Sequence, residues 1–273
     1  MDGIALKQYL NQNKRAYGTA ILTASPLWPP MVKKTGVDFV FIDSEHIALD
    51  RSQLSWMCRT YSALGMPPLV RIPSPDPYQA CQVLDGGAVG LIAPYIESPE
   101  QVRDLVGAVK FRPLKGRRLD SFLRGDSAIE PALLKYLESK NQRHILLINI
   151  ESQPALDQLE AILSVPGLDG VLIGPHDLSC SLGIPEQYDH PEFQTAIRTI
   201  IQTARSKGLI AGNHFCEDIN LHTKWAKFGE NLIIRSNDLY LFSRALKQEL
   251  NTMKHDLGDS LTTDDTHDDL VIW

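Results

Sequence analysis

Cysteine is scarce, and what there is does not pair. Cys58, Cys81, Cys180 and Cys216 are the only four in 273 residues, and none forms a CxxC or a zinc-like spacing. That excludes a disulfide-stapled scaffold and a zinc finger; scattered single thiols suit a reducing compartment and read as buried side chains. Long apolar runs are also missing. No stretch reaches the ~20 apolar residues that a membrane-spanning helix needs. The opening segment, MDGIALKQYLNQNKRAYG, has no apolar core of the kind a secretory signal carries. Nor is there an excess of positive charge: 27 lysines and arginines stand against 33 acids, for a net charge of −6. Most of that net charge lies in residues 251–273, where Asp256, Asp259, Asp264, Asp265, Asp268 and Asp269 outnumber Lys254. The remaining body is near neutral and offers no broad attraction to nucleic acid or anionic lipid. A cytoplasmic protein acting on small molecules is expected, with no nucleic-acid or membrane partner.

Repeats of solenoid length are absent. The glycine cluster GGAVG (86–90) is not a dinucleotide loop, because such a loop follows a strand and opens a helix, whereas this one precedes a strand. It reads as a tight turn. What is present is core material: 43% hydrophobic and 22% charged residues, an ordinary globular balance. The length suits a single α/β barrel, which needs about 250 residues.

Eight short β-rich runs recur: Tyr17–Thr23, Asp38–Asp43, Pro68–Ile72, Gly90–Tyr95, Ile145–Ile150, Gly170–Gly174, Leu209–Asn213 and Asn231–Arg235. Most are continuous Val/Ile/Leu stretches, as strands buried on both faces require. Helical patterns alternate with them over Asp50–Leu64, Pro75–Leu84, Pro99–Val109, Gln153–Leu163, His190–Lys207, Cys216–Phe228 and Leu239–Leu250. Eight βα units close a parallel (β/α)8 TIM barrel, expected here over residues 1–250. Two stretches exceed a minimal barrel. Phe111–Gln142, with a helical pattern over Ala128–Ser139, reads as an insertion after the fourth βα unit, a lid or an interface element. Residues 251–273 read as a loose acidic tail, the alternative being a docked Val271–Ile272–Trp273 patch.

Chemistry in such a barrel sits where the strands end. Polar residues concentrate there: Asp43, Glu45 and His46 after strand 2, Arg71 on strand 3, Asn149 and Glu151 on strand 5, His176 and Asp177 after strand 6, His214 after strand 7. Leu147, Asn149 and Glu151 share a face by the two-residue period of a strand. Glu151 and Asp177 would then be neighbours across the rim. Two adjacent carboxylates repel unless a cation lies between them, and oxygen ligands suit Mg²⁺ or Mn²⁺. The alternative is that Asp177 caps a short helix and Glu151 makes a rim ion pair. Arg71, in the apolar run PPLVRIP, either binds a substrate oxyanion through its planar fork or pairs with Asp43 or Glu45. His46, next to two acids, is a candidate general base or a structural histidine. His176 and His214 read as supporting or structural side chains.

Six segments together resemble the HpcH/HpaI aldolase family, which includes 2-dehydro-3-deoxyglucarate aldolase and 4-hydroxy-2-oxoheptanedioate aldolase. They are FVFIDSEH (39–46), LVRIPSPDP (69–77), VLDGGAVGLIAPYIES (83–98), FRPLKGRR (111–118), INIES (148–152) and GVLIGPHDLSCSLG (170–183). The resemblance runs from about Gly18 to Leu246. It implies a pyruvate-type (β/α)8 barrel and a class II aldolase joining or cleaving a 2-oxo acid and an aldehyde. It implies a divalent metal on Glu151 and Asp177: Mg²⁺ or Mn²⁺, with Co²⁺ a third candidate. It makes Arg71 the residue that binds the oxo acid and steadies the enolate, and His46 the base. It makes Asp85 the partner of a hydrogen-bonded dyad, and Gly174 and Pro175 the lining of the carboxylate pocket. It also implies a homo-oligomer, typically a hexamer that exchanges terminal helices. The chain departs from the family at Asn149, where the usual residue is Gln, and in the loop after FRPLKGRR. Alternatives on the same scaffold are a metal-independent citrate synthase and a CoA-ester lyase, with Arg112, Lys115, Arg117 and Arg118 meeting a CoA phosphate. A non-catalytic oxo-acid-binding barrel is the alternative of another class.

Overall fold

The eight β-rich runs become eight parallel strands, hydrogen-bonded in sequence order and closed by the pairing of the last with the first. They are β1 (Ala16–Ile21), β2 (Phe39–Asp43), β3 (Pro68–Arg71), β4 (Gly90–Ala93), β5 (Ile145–Ile150), β6 (Gly170–Ile173), β7 (Ile210–Phe215) and β8 (Leu232–Asn237). This computed structural model describes residues 1–260. Alternate side chains on each strand point inward. Phe39, Phe41, Leu69, Ile92, Ile145, Leu147, Leu172, Ile210, Leu232 and Ile234 fill the barrel interior. The other set, including Val40, Ile42, Val70, Leu146, Ile148 and Val171, packs against the helices. The continuous apolar runs have this physical reason: each strand carries one core on either face.

The first helix, α1 (Gly3–Asn11), closes the barrel floor with Leu6 and Leu10, and Asn231 donates to the Leu10 carbonyl at 3.0 Å. The sequence pattern does not predict a helix there. Nor does it predict α2 (Trp28–Lys34), which follows β1. The next helices fall where the periodicity places them: α3 (Arg51–Ala63), α4 (Pro77–Gly86) and α5 (Pro99–Lys110). Capping boxes start α3 at Asp50 and α5 at Ser98. Gly87, at φ 117°, ends α4, as the tight-turn reading of GGAVG requires.

The insertion forms α6 (Gly116–Leu123) and α7 (Pro131–Asn141). Leu119 and Leu123 of α6 pack against Gly107 of α5, where a Cβ would come within 2.7 Å of Leu123. The Asn141 amide reaches the carbonyls of Lys110 and Arg112. The insertion therefore lies on the outer helical layer and is not a lid over the strand ends. Two of the four cations of its basic run are paired, Arg112 with Asp85 and Arg118 with Glu130.

Beyond β5 the single expected helix is two short ones, α8 (Gln153–Asp157) and α9 (Leu159–Leu163). Then come α10 (Pro175–Ser181), α11 (Pro191–Ser206), α12 (Ile219–Ala226) and α13 (Asp238–Leu257). α13 passes the expected boundary at Leu250 by seven residues and stops where Gly258 takes φ 77°. Residues 261–273, with the Val271–Ile272–Trp273 motif, lie outside the described residues.

Candidate active site

The inward-facing layer above Phe41, Leu69 and Leu147 is polar. One step further along the strands lie Asp43, Arg71 and Asn149. They are 3%, 7% and 1% exposed, so each charge or amide there needs a partner. Arg71 finds several. Its Nε lies 3.0 Å from Asp43 Oδ1 and 3.0 Å from Glu45 Oε2, and its Nη2 lies 2.5 Å from Asp43 Oδ2. Burial opposes the Asp43 charge, but hydrogen bonds with His46 and Arg71 more than offset it and hold that carboxyl below the ordinary range. The ion-pair reading of Arg71 is thus met, while the same guanidinium also faces the cleft.

His46 Nδ1 sits 3.2 Å from Asp43 Oδ2 and 2.7 Å from Arg71 Nη2. It can donate to the carboxylate or accept from the guanidinium, but not both at once. In the first state Nε2 carries the lone pair and can act as a base. The hydrogen bond with Asp43 raises the His46 pKa above its usual value, against burial and the nearby Arg71.

Glu151 continues the face of β5 that carries Leu147 into the barrel, as the period-two argument required. Its Oε1 accepts from the Tyr95 backbone N–H at 2.8 Å, and its Oε2 from Asn149 Nδ2 at 2.7 Å. It makes no rim ion pair of its own. Asp177 sits in the first turn of α10, and the cap position belongs to Gly174. The two carboxylates converge on Gly174: a Cβ there would lie 2.8 Å from Glu151 Oε2 and 3.3 Å from Asp177 Oδ2. A larger residue at Gly174 would crowd both acids. Burial, with the charge of Asp177 nearby, pushes the Glu151 carboxyl up. Asn149 Oδ1 is buried with no hydrogen-bond partner, although it faces the same cleft.

Two carboxylates and an unspent carbonyl oxygen form a hard donor set, which fits a divalent cation of the Mg²⁺ or Mn²⁺ type. A second group, Asp43, Glu45 and His46, has ligand atoms within 4.8 Å of one another. There Arg71 already stands as the counter-cation, so that group holds the guanidinium in place of a metal. The cleft over these residues is lined by Arg71, Asn149, Gly174, Pro175 and Asp177. His214, Cys216 and Glu217 from the end of β7 line it too, with Tyr188 and His176.

The family model for HpcH/HpaI aldolase/citrate lyase matches residues 22–245. This chain belongs to that family. The 2-keto-3-deoxy-L-rhamnonate aldolase of Klebsiella pneumoniae is 31% identical over 250 residues, 92% of this chain and 93% of its own. That of Salmonella gallinarum is 31% identical over 248 residues. Among solved structures, an HpcH/HpaI aldolase from Desulfitobacterium hafniense superposes with a TM-score of 0.78 at 26% identity, covering 91% of this chain and 96% of its own. The citrate synthase SbnG gives 0.80 at 27%, covering 94% and 100%. Membership makes the chain a carbon–carbon lyase, a class II aldolase that joins or cleaves a pyruvate-type 2-oxo acid and an aldehyde, in a family that depends on a divalent metal.

One residue assigned from the HpcH/HpaI resemblance does not reach this site within the chain. Asp85 lies in the last turn of α4, on the outer layer, with its side chain exposed and paired to Arg112. The acid beside His46 is Asp43 instead. The reason is topological: α4 carries the chain back from the strand ends, so its last turn is remote from the rim. Glu45, one of the two acids offered in the sequence as a partner of Arg71, is its second anchor. Two contributors were not singled out from sequence. Tyr95, at φ 56°, aims its N–H at Glu151, and the interaction of its hydroxyl with the Glu45 carboxylate pushes the Tyr95 pKa up to about 12. Glu217 lines the cleft. No local pattern marks Tyr95 or Glu217; only their place just past β4 and β7 could have pointed to them. His214 packs against Phe41, and burial, with Arg71 nearby, pushes it down to about 4, so it stands neutral there. No helix among the described residues is long and apolar enough to cross a membrane.

Proposed function

We propose that Glu151 and Asp177 hold the catalytic divalent cation, Mg²⁺ or Mn²⁺, and that Arg71, Asn149 and His46 work around it on a pyruvate-type oxo acid. The observation that carries this reading is the meeting of the two carboxylates over Gly174, with the partnerless Asn149 oxygen beside them. A cation bound there supplies Lewis-acid stabilisation to charge developing on the 2-oxo oxygen. Arg71 adds a fixed positive charge facing the same space; its orientation is locked by Asp43 and Glu45, so little reorganisation accompanies the reaction. Asn149 orients the oxo acid through its amide, and Gly174 and Pro175 shape the pocket for the carboxylate. In cleavage His46 takes the proton of the 4-hydroxyl as the C3–C4 bond breaks; in addition it returns that proton to the new alkoxide. Asp43 sets the tautomer that leaves Nε2 free for this task.

The test is an aldol and retro-aldol screen of the purified protein with several aldehydes and divalent metals, reading pyruvate consumed or formed. Metal-dependent turnover of free aldehydes supports the reading. Full activity in excess chelator, with an acyl thioester as the required co-substrate, would favour a synthase of the kind the SbnG likeness brings into view.

The protein is further proposed to be a homo-oligomer, a hexamer by its resemblance. α13 supports this. Only Asp238 of its twenty residues is buried, and Phe242, Leu246, Leu250, Met253 and Leu257 form an exposed apolar stripe at helical spacing.

A further inference from the structure

Two histidines of the cleft, His176 and His214, have no part in the proposed reaction, and each stands beside a cysteine. His214 and Cys216 are two residues apart at the end of β7, so strand period turns both the same way, into the cleft. Cys216 Sγ lies 3.5 Å from His214 Nε2. The cysteine is 6% exposed, and Asn237 Nδ2 donates to its sulfur at 3.6 Å. The Ser236 hydroxyl, fully buried, acts on the same sulfur and bonds no nitrogen or oxygen. Zinc holds a thiolate at ~2.3 Å and an imidazole nitrogen at ~2.0–2.1 Å, and at a tetrahedral angle those two atoms are about 3.5 Å apart. The pair has that separation. The surrounding charge tolerates a cation: Asp43 and Glu45 neutralise Arg71, and Arg235 turns its donors to the carbonyls of Phe215 and Glu217.

We propose that His214 and Cys216 form a second cation site in the cleft, selective for a soft ion of the Zn²⁺ or Cd²⁺ class, with the Ser236 hydroxyl as a neighbouring donor. Thiolate and imidazole select against Mg²⁺ and Mn²⁺, which keep to carboxylate and carbonyl oxygen. The site stands whatever roles Glu151 and Asp177 play, and all its atoms come from one chain. Binding releases one proton. It comes from the thiol, which burial pushes up to about 11 and which is therefore protonated in the ion-free protein. His214 is already neutral. In the bound state its ring proton sits on Nδ1, and Nε2 gives up its contact with the Ser236 carbonyl at 3.2 Å. The other pair, His176 and Cys180 on α10, is 3.8 Å apart, but Cys180 is exposed and His176 faces Glu186.

The experiment titrates Cd²⁺ into the reduced full chain in excess Mg²⁺, which fills oxygen sites and leaves thiols alone. It reads the ultraviolet charge-transfer band of a cadmium–thiolate bond. The native protein is expected to give a band that saturates. Cys216→Ser is expected to abolish it, His214→Gln to weaken Cd²⁺ binding at least tenfold, and Cys180→Ser to leave both band and affinity unchanged. The absence of a band in the native protein, a band that survives Cys216→Ser or is lost in Cys180→Ser, or unchanged affinity in His214→Gln overturns the site. If Cys216→Ser fails to fold by circular dichroism, peptide-resolved alkylation of the native protein decides. Cd²⁺ is expected to protect Cys216 from N-ethylmaleimide, and alkylation at an undiminished rate overturns the inference.

Discussion

At the scale of single residues the site divides into two charge clusters with different failure modes. In the proposed mechanism Arg71 faces the oxo acid in ground state and enolate alike. Arg71→Ala is expected to weaken pyruvate binding and slow methyl-proton exchange. Arg71→Lys should not rescue, since a point charge cannot span Asp43 and Glu45 while facing substrate. His46→Ala is expected to lower cleavage by about 10²–10⁴-fold, as for a lost general base, with a smaller effect on pyruvate affinity. Pyruvate titration and cleavage kinetics on the three variants check this; near-native turnover in Arg71→Lys would remove its assigned role. Because Asp43 raises the His46 pKa, the free base form accumulates only above the usual histidine range. The cleavage rate should therefore rise with pH through a midpoint above 6.5. Most of this cluster was legible in the sequence, because DSEH and VRIP fall at strand ends and strand period fixes which side chains face inward. Tyr95 was not. Its part is played by a backbone N–H in a left-handed turn, which no side-chain pattern encodes.

At the scale of elements, strands read well and helix ends poorly. Strand boundaries follow from apolar runs that both cores require. Helix boundaries depend on capping and on which partner covers the face. α13 shows this: its pattern continues past Leu250 through Met253 and Leu257, and glycine geometry at Gly258 ends it. α1 was missed because its few apolar positions, Leu6 and Leu10, find their partners only when the barrel floor exists to receive them. Asp85 shows the converse: a resemblance assigned a role that the return direction of α4 does not permit within one chain. If the α13 stripe is an interface, Leu246→Glu with Leu250→Glu should shift the mass seen by light scattering toward a monomer at micromolar concentration. An already monomeric native protein would contradict the proposed oligomer. Ending the chain at Gly258 removes acidic residues that carry no core pattern and leaves α13 whole, so turnover should change little. A large loss of turnover would give the tail a role.

At the scale of the whole molecule, buried ionisable groups set the pH window of stability. Burial pushes His144 and His214 down to about 4 and His222 to about 3. The unfolded chain binds protons at these histidines below about pH 6.5 and the fold does not, so stability falls as pH drops from there. Glu230 has the opposite sign. Burial pushes it up to about 8, and it holds its proton in the fold while the unfolded chain has lost it, so stability falls as pH rises from about 4.5 toward 8. Glu230→Gln preserves the bond from Asn213 and removes the ionisation. Denaturant melts should show the decline between pH 6.5 and 8 becoming shallower in that variant; an unchanged slope would mean Glu230 is not protonated in the fold. None of this bears on the central claim, that Glu151 and Asp177 hold the cation while Arg71 occupies the rival acidic cluster. Mn²⁺ binding followed by electron paramagnetic resonance tests it most directly, on the native protein, Glu151→Ala and Asp177→Ala with circular dichroism as a check of folding. The account predicts one tight Mn²⁺ per chain in the native protein and its loss in both folded variants; undiminished binding in either would contradict it.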